Sequence, residues 1–228
     1  MGTYPLSRLF QMEAAIRHLK TRDPRLKVLI ERVGPYSIEF REPTFATLVR
    51  SIVFQQLSGK VARVIYGRLE SAMPDGALTP KGVLKLRPER MRRLGLSRQK
   101  IAYVRDLARQ TVKGKIVFEG LGALEDQQVI EQLTAVKGIG VWTAHMFLIF
   151  ALRRHNVLPT GDLGIRSAIR KIYGLPELPK PREVEELALS WHPYCTVASW
   201  YLWRSLDGQA GIWRQEVGGR SQEGRSIL

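Results

Sequence analysis

The segment that most constrains the fold is a short turn between two apolar, helix-like stretches, Leu133-Thr-Ala-Val-Lys-Gly-Ile-Gly-Val-Trp-Thr-Ala144. Gly138 and Gly140 can each adopt a positive φ, which other residues avoid. We therefore predict a hairpin at 133–144, in which one helix ends and the next begins. The free N–H groups at the start of the second helix would form an anion site. The alternative is a plain helix corner with glycine at its C-cap.

The charge balance indicates which anion the hairpin would meet. The 228 residues include 36 Lys and Arg against 21 Asp and Glu, for a formal net charge of +15. Such an excess favours nucleic acid or an anionic membrane surface. A membrane-surface role is disfavoured because the charge is not gathered on one amphipathic helix. We therefore expect the hairpin to bind DNA phosphate, which positions a protein on the duplex without reading its sequence.

Other features restrict cofactors and location. The single cysteine, Cys195, excludes an intrachain disulfide and a four-cysteine zinc or iron–sulfur site within the chain. The start of the chain lacks the apolar core of a signal peptide. The longest apolar run, Val141 to Leu152, is too short to span a bilayer. We expect a soluble intracellular protein, cytoplasmic and nucleoid-associated in a bacterium or archaeon and nuclear in a eukaryote.

Helical spacing of apolar residues recurs nearly throughout the chain, so we predict an all-α fold. One helix begins after Pro43-Thr44 and another after Gly59. Further helices are predicted over 80–87, 89–94, 98–113, 125–135, 142–153, 164–173, 182–190 and 194–206. Only 37–40 and 116–118 offer short strand candidates. The polar final residues, 219–228, are expected to form a disordered tail.

The clearest internal break is the loop 154–163, which contains Pro159 and Gly161. It separates the hairpin helices from the helix that begins near Leu163. We therefore predict two helical lobes with a cleft between them near this loop.

Asp162, in the same loop, has two interpretations. It precedes a helical stripe and is a natural N-cap residue. The N-terminus of a helix also favours a negative charge. A carboxylate fixed there can stabilise developing positive charge or orient a water molecule. The residues alone leave both interpretations open.

Two tryptophans and a pair of amides are further candidates. Trp203 lies nearly opposite the apolar stripe of the last helix, so it either packs on another element or lines a cleft. Trp142 follows the hairpin glycines, and electron-rich rings near a carboxylate suit a flat cationic ligand. Gln55-Gln56-Leu57-Ser58-Gly59 is either a polar helix end or a wedge that fills the gap left by a flipped-out base.

Together these motifs resemble the helix-hairpin-helix DNA glycosylase superfamily, and within it the alkylpurine branch, the 3-methyladenine DNA glycosylase II family. The resemblance covers about residues 40–206 and depends on the order of five motifs. They are Ser51-Ile-Val-Phe-Gln-Gln-Leu-Ser58, Leu94-Gly-Leu-Ser-Arg-Gln-Lys-Ile101, the hairpin 133–144, Pro159-Thr-Gly-Asp-Leu-Gly-Ile-Arg166 and Trp191-His-Pro-Tyr-Cys-Thr-Val-Ala198.

The resemblance implies a fold and a set of roles. It implies a central lobe, 44–154, that contains the hairpin, and a second lobe built from both ends of the chain, 1–43 plus 155–218. Asp162 would be the catalytic aspartate, and Gln56 or Leu57 the wedge. The base pocket would include Trp142, Trp203 and Leu163. The phosphate site would include Lys137, Gly138, Gly140 and Thr143. The backbone carbonyls of Thr134, Val136 and Ile139 would bind a monovalent cation, Na⁺ or K⁺.

The departures from the family pattern are equally informative. Bifunctional members carry a lysine nucleophile two residues after the second hairpin glycine, where this chain has Trp142, and Lys137 is not at that position. Neither Schiff-base chemistry nor strand cleavage is therefore expected. Leu163 replaces an aromatic residue of some members, and Cys195 stands where arginine is frequent. Some members also carry an N-terminal mixed α/β domain, and we do not expect one within the short stretch that precedes residue 40.

The function that follows from the resemblance is a monofunctional glycosylase. It would excise 3-methyladenine and 7-methylguanine types of base from damaged double-stranded DNA, acting as a monomer with no cofactor and no iron–sulfur cluster. Two alternatives stay open. One is a glycosylase for deaminated or oxidised bases, and the other is a non-catalytic helix-hairpin-helix protein that binds damaged DNA.

Overall fold

The protein is described by a computed structural model that covers residues 6–73 and 76–206, with side chains from Met12 onward. Within these residues the chain forms twelve α-helices, two 3₁₀ helices and no strand, which confirms the all-α prediction. The predicted tail, 219–228, lies outside the described residues, as do residues 207–218 of the predicted second lobe.

The α-helices follow one another in chain order with short connections. Their bounds are α1 Leu6–Arg22, α2 Pro24–Val33, α3 Phe45–Phe54, α4 Gly59–Ser71, α5 Pro80–Lys85, α6 Pro88–Arg93, α7 Arg98–Val112, α8 Asp126–Thr134, α9 Val141–Phe150, α10 Leu163–Tyr173, α11 Pro181–Leu187 and α12 Cys195–Arg204. The 3₁₀ helices span Phe118–Ala123 and Ala188–Trp191.

Local capping explains why several helices begin where the sequence predicted. The Thr44 hydroxyl accepts from the Thr47 N–H at 3.3 Å, and the Ser58 hydroxyl accepts from the Val61 N–H at 3.4 Å. Ser97 caps α7 in the same way. Each cap satisfies an N–H group that has no partner within its own helix, so a Ser or Thr before an apolar run marks the start of a helix.

Helix packing divides the described chain into two groups. Helices α3 to α7 pack around α3 and α7, and α8 packs against α9 in the hairpin. Helices α1, α2, α10 and α12 pack with one another, and α11 lies against the second 3₁₀ helix. One continuous apolar core runs through both groups. The ring of Phe150 at the end of α9 stacks on Trp203 of α12, which joins the hairpin helix to the helix near the end of the chain.

Three local predictions differ from the structure. Neither strand candidate forms a strand, because Phe118 begins a 3₁₀ helix and residues 37–40 have no regular secondary structure. The helix predicted over 142–153 ends at Phe150, and Arg153 beyond it has a φ of 59°. Helices α1 and α2 were not predicted.

In the described part of the chain no helix is long and apolar enough to cross a membrane.

Candidate active site

The predicted hairpin is present, with α8 ending at Thr134 and α9 beginning at Val141. Gly138 has a φ of 82°, the left-handed conformation that glycine adopts most readily. Gly140 does not share it, because its φ is −92° and its ψ is 173°, which is extended backbone. The expectation of a positive φ therefore holds at Gly138 and is wrong at Gly140.

The two glycines meet different surroundings. A Cβ atom on Gly138 would lie 2.0 Å from Cδ2 of Tyr103, so the Tyr103 ring occupies the space where a side chain would begin. A Cβ atom on Gly140 would have no heavy atom of the described residues within 4 Å beyond its chain neighbours. Gly140 caps the exposed start of α9, where the absence of a side chain lets a ligand approach the backbone.

The other residues predicted to bind phosphate are divided between surface and interior. The side chain of Lys137 is exposed, while its backbone N–H donates to Oδ2 of Asp106 at 3.0 Å. Thr143 is only 6% exposed and lines a cleft beside Trp142. The phosphate-binding roles of these residues and of the glycines stay predictions.

The predicted cation ligands lie in the same turn. The Val136 carbonyl accepts from the Ile139 N–H at 3.1 Å, which leaves a second lone pair on its oxygen. The Thr134 hydroxyl donates to the Ile130 carbonyl within α8 at 2.7 Å, so only the backbone carbonyl of Thr134 is offered to a cation. Backbone carbonyl oxygens are the donor type that alkali cations accept in proteins, so the donor set fits Na⁺ or K⁺.

Asp162 is buried, with 2% of its surface exposed, at the N-terminus of α10. Its Oδ1 accepts from the Ile165 N–H at 2.8 Å, which is the N-cap bond that the sequence predicted. Oδ1 also accepts from Nε1 of Trp203 at 3.1 Å, and Oδ2 accepts from Nε1 of Trp142 at 2.6 Å. The carboxylate is thus held by one backbone donor and two indole donors.

The two predicted tryptophans therefore lie beside the predicted aspartate, and each donates to a different oxygen of its carboxylate. The sequence pattern indicates ring surfaces for a flat ligand but does not indicate the bonds that the two indole N–H groups make. A buried indole needs a hydrogen-bond partner, and that requirement was the signal available in the sequence. Trp203 is 4% exposed and stacks on Phe150 with 5.9 Å between ring centroids and 22° between ring planes.

An open cleft adjoins this cluster on the side of Trp142. Its apolar walls are Trp142, Phe147, Phe150, Phe54, Met146 and Ala151. Ser51, Thr47, Thr143, Glu39, Arg41 and Arg50 supply polar groups. The Arg50 guanidinium lies 3.8 Å from the centre of the Phe54 ring. The cleft residues that come from α3 and from 39–41 were not predicted from the sequence.

Two predicted pocket residues lie elsewhere. Leu163, the first residue of α10, is 59% exposed, and neither it nor Trp203 is among the described residues that line the cleft. Trp203 instead lies behind Phe150, against Asp162. The base-pocket assignments of both stay predictions.

The predicted wedge residues differ in exposure. Gln56 is exposed and has a φ of 55°, an uncommon conformation for a residue other than glycine. Leu57 is partly buried and packs against the core. Gln56 is therefore the better placed of the two to enter a duplex.

A reactive thiol and a metal site would be further candidate centres among the described residues. Cys195 is fully buried, and burial raises the pKa of its thiol to about 12. No group of three or more His, Cys, Asp or Glu side chains that could hold a metal occurs among the residues that the structure describes.

A hairpin beside a capped aspartate, in a fold of paired helical groups, defines a class of DNA repair protein. The chain belongs to the HhH-GPD superfamily of base excision DNA repair proteins, whose family profile matches residues 49–193. This membership confirms the family predicted from the motifs.

Individual relatives narrow the comparison. DNA-3-methyladenine glycosylase 1 of Schizosaccharomyces pombe is 37% identical over 194 residues, which cover 82% of this chain and 85% of that protein. The structure of the S. pombe 3-methyladenine DNA glycosylase in complex with abasic DNA matches with a TM-score of 0.75 and 36% identity, covering 85% of this chain and 97% of that one. The crystal structure of DNA-3-methyladenine glycosidase from Bacillus halodurans matches with a TM-score of 0.78 and 37% identity, covering 86% and 89%.

Proposed function

We propose that this protein is a monofunctional DNA glycosylase that releases alkylated purines of the 3-methyladenine and 7-methylguanine types from double-stranded DNA. The observation that carries the proposal is the buried Asp162 carboxylate, which two tryptophan N–H groups and a helix N-terminus hold beside an aromatic cleft. The names and folds of the relatives support the same chemistry.

Binding begins at the hairpin. The N–H groups at the start of α9 receive a phosphate of the damaged strand, and the bare Gly140 backbone allows the close approach. The backbone carbonyls of Thr134, Val136 and Ile139 would hold a Na⁺ or K⁺ ion, which would add positive charge to the phosphate site. One molecule acts on one lesion as a monomer.

The damaged nucleotide is then rotated out of the duplex, at an unstacking cost of a few kcal/mol that is lower for a damaged base. The Gln56 side chain fills the space that the rotated nucleotide leaves in the duplex. The flipped base enters the cleft between Trp142, Phe150 and Phe54, whose rings attract a flat cation. Alkylation at N3 or N7 gives the purine a positive charge, so it leaves as a neutral base without a general acid.

Asp162 acts on the sugar. As the bond between C1′ and the base nitrogen breaks, its electron pair goes to the departing base and positive charge develops on the sugar ring. The Asp162 carboxylate stabilises that charge electrostatically. A water oxygen then forms the new bond at C1′ and loses a proton to solvent. The products are a free base and an abasic site in an intact strand.

The absence of strand cleavage is a testable prediction. Because Trp142 occupies the position of the lysine nucleophile, no covalent enzyme–sugar intermediate forms. A denaturing gel should show intact strands after base release, and cleaved strands only after alkali. Borohydride should trap no protein–DNA adduct. Nicked strands without alkali would contradict the monofunctional assignment.

The indole donors can be tested by a matched pair of substitutions. Trp142→Phe removes the donor to Asp162 and should lower the single-turnover rate about tenfold, as expected for the loss of a hydrogen bond to a charged group. Trp191→Phe is the control, because the Trp191 indole donates in the same way, at 2.8 Å, to the buried carboxylate of Asp23. Asp23 caps α2, outside the proposed site. That variant should lose stability and keep the rate per folded molecule. Equal rates for the two variants would contradict the role of Trp142.

A second candidate substrate is favoured by one observation. Arg50 lines the cleft, and an arginine guanidinium recognises the O6 and N7 acceptors of a purine. A deaminated purine such as hypoxanthine presents both acceptors. Release of hypoxanthine faster than that of 7-methylguanine, from otherwise identical duplexes, would favour this candidate over the proposed one.

A further inference from the structure

Helix α7 contacts the two loops that are proposed to bind DNA. We call residues 55–58 the wedge turn and residues 135–140 the hairpin loop. Three side chains of α7, at every third position, reach these loops: Lys100, Tyr103 and Asp106. Residues three apart lie on one face of a helix, so a single face of α7 serves both loops.

Lys100 fixes the base of the wedge turn. Its Nζ donates to the carbonyls of Val53 at 2.7 Å and Gln55 at 2.6 Å, at the C-terminal end of α3. Carbonyls at the end of a helix have no partner within it, so the ammonium satisfies groups that would otherwise need water. The side chain of Lys100 is partly buried, and this burial lowers its pKa. Gln56 directly follows the Gln55 carbonyl that Lys100 binds, and its φ is 55°.

Tyr103 and Asp106 fix the hairpin loop. The Tyr103 ring fills the space beside the bare Cα of Gly138. Oδ2 of Asp106 accepts from the Lys137 N–H at 3.0 Å, while Oδ1 accepts from Arg109 at 3.2 Å. Burial acts to raise the pKa of Asp106, but these hydrogen bonds and the nearby positive charges outweigh it and lower the pKa.

One direct bond closes the connection between the loops. The Gln55 side-chain amide Nε2 donates to the Gly138 carbonyl at 2.9 Å. The wedge turn and the hairpin loop are therefore joined twice, once directly through Gln55 and once through α7. A displacement of the hairpin loop would therefore pull directly on Gln55, the residue that precedes Gln56.

We propose that Gln55 and Lys100 are positioning residues that couple phosphate binding at the hairpin to insertion of Gln56 into the duplex. The proposal rests on the proposed function, which supplies the roles of the hairpin and the wedge. An uncommon backbone conformation such as that of Gln56 persists only when its surroundings hold it. Without either anchor the wedge turn relaxes, and Gln56 no longer offsets the unstacking of the flipped base.

Three measurements separate phosphate binding from insertion of Gln56. Fluorescence anisotropy on an undamaged duplex measures the affinity that depends on phosphate binding. A duplex with 2-aminopurine beside a tetrahydrofuran abasic analogue measures insertion, because 2-aminopurine brightens when it is unstacked. Single-turnover release from 7-methylguanine DNA measures the complete reaction. The variants are Gln55→Met, Lys100→Met and Lys100→Arg, with Lys113→Met as a control that removes an exposed lysine at the far end of α7.

Coupling predicts a split between the measurements. Gln55→Met and Lys100→Met should bind undamaged DNA within about threefold of the wild type, yet lose most of the fluorescence gain and about tenfold in release rate. Lys100→Arg should recover most of the insertion signal because its guanidinium still donates to carbonyls. Lys113→Met should insert and release as the wild type does.

Two results would overturn the coupling. One is a Gln55→Met variant that inserts normally, and the other is a parallel fall of affinity and insertion in both methionine variants. If Lys100→Met does not fold, Gln55→Met decides the matter, since its side chain makes a single bond to the hairpin. A wild type that inserts into DNA but releases no base would refute the proposed function and leave the coupling intact.

Discussion

Replacing Asp162 with asparagine should lower the rate of alkylpurine release by about 10³-fold and leave DNA binding unchanged. Removal of one group that stabilises transition-state charge costs on the order of 10²–10³ in rate, and here the full carboxylate charge opposite the sugar is lost. The hairpin that holds the phosphate is unaltered. The measurements are single-turnover release from 7-methylguanine DNA and anisotropy on the same duplex.

The structure also predicts a stability cost for this variant. An asparagine amide would place an N–H₂ group against Nε1 of Trp142 or Trp203, and leaving a buried donor unsatisfied costs about 1–3 kcal/mol. Asp23→Asn is the matched control, because Asp23 also caps a helix and accepts from the indole of Trp191. That control should lose comparable stability and keep its rate per folded molecule. Full turnover by Asp162→Asn would contradict the catalytic assignment.

Replacing Gly138 with alanine should destabilise the protein by about 3 kcal/mol or more. The new methyl group would lie 2.0 Å from the Tyr103 ring, and the residue would have to keep a φ of 82°. Overpacking typically costs about 1–3 kcal/mol, and a left-handed conformation in a residue other than glycine adds about 1 kcal/mol or more. Chemical denaturation of the two proteins measures the difference.

Gly140→Ala is the control for this prediction. Its backbone is extended and its Cβ would point into open space, so stability should change by less than about 1 kcal/mol. Affinity for DNA should nevertheless fall, because the methyl group occupies the approach to the N–H groups of α9. Gly138→Ala combined with Tyr103→Ala should recover part of the lost stability. Equal stabilities for Gly138→Ala and Gly140→Ala would contradict the packing argument.

The helices that sequence analysis located best are those with local signals. Thr44, Ser58 and Asp162 each cap a helix from a position just before an apolar run, so their effect depends only on nearby residues. The strand candidate at 116–118 failed for the opposite reason, since a strand needs a partner elsewhere in the chain and β-branched or aromatic residues alone do not supply one.

The residues of the candidate site were predictable from the sequence, but the contacts between them were not. The motifs predicted Asp162, the hairpin and both tryptophans as site residues, and the fold brings them together. The bonds from Trp142 and Trp203 to Asp162 join residues 20 and 41 positions apart, so they depend on how α9, α10 and α12 pack. The same applies to Tyr103 against Gly138. The residues next to Tyr103 and Gly138 in the sequence do not indicate that the Tyr103 ring occupies the space of a Gly138 side chain.

Incubation of the wild-type protein with methylated duplex DNA tests the proposed activity directly, when the released bases are identified by chromatography and the strands are examined on a denaturing gel. An alkylpurine glycosylase of this kind should release free 3-methyladenine and 7-methylguanine, with strands that stay intact until alkali is added and with release by Asp162→Asn slowed about 10³-fold. Strand cleavage without alkali, or the absence of any free alkylated purine, would contradict the proposed function.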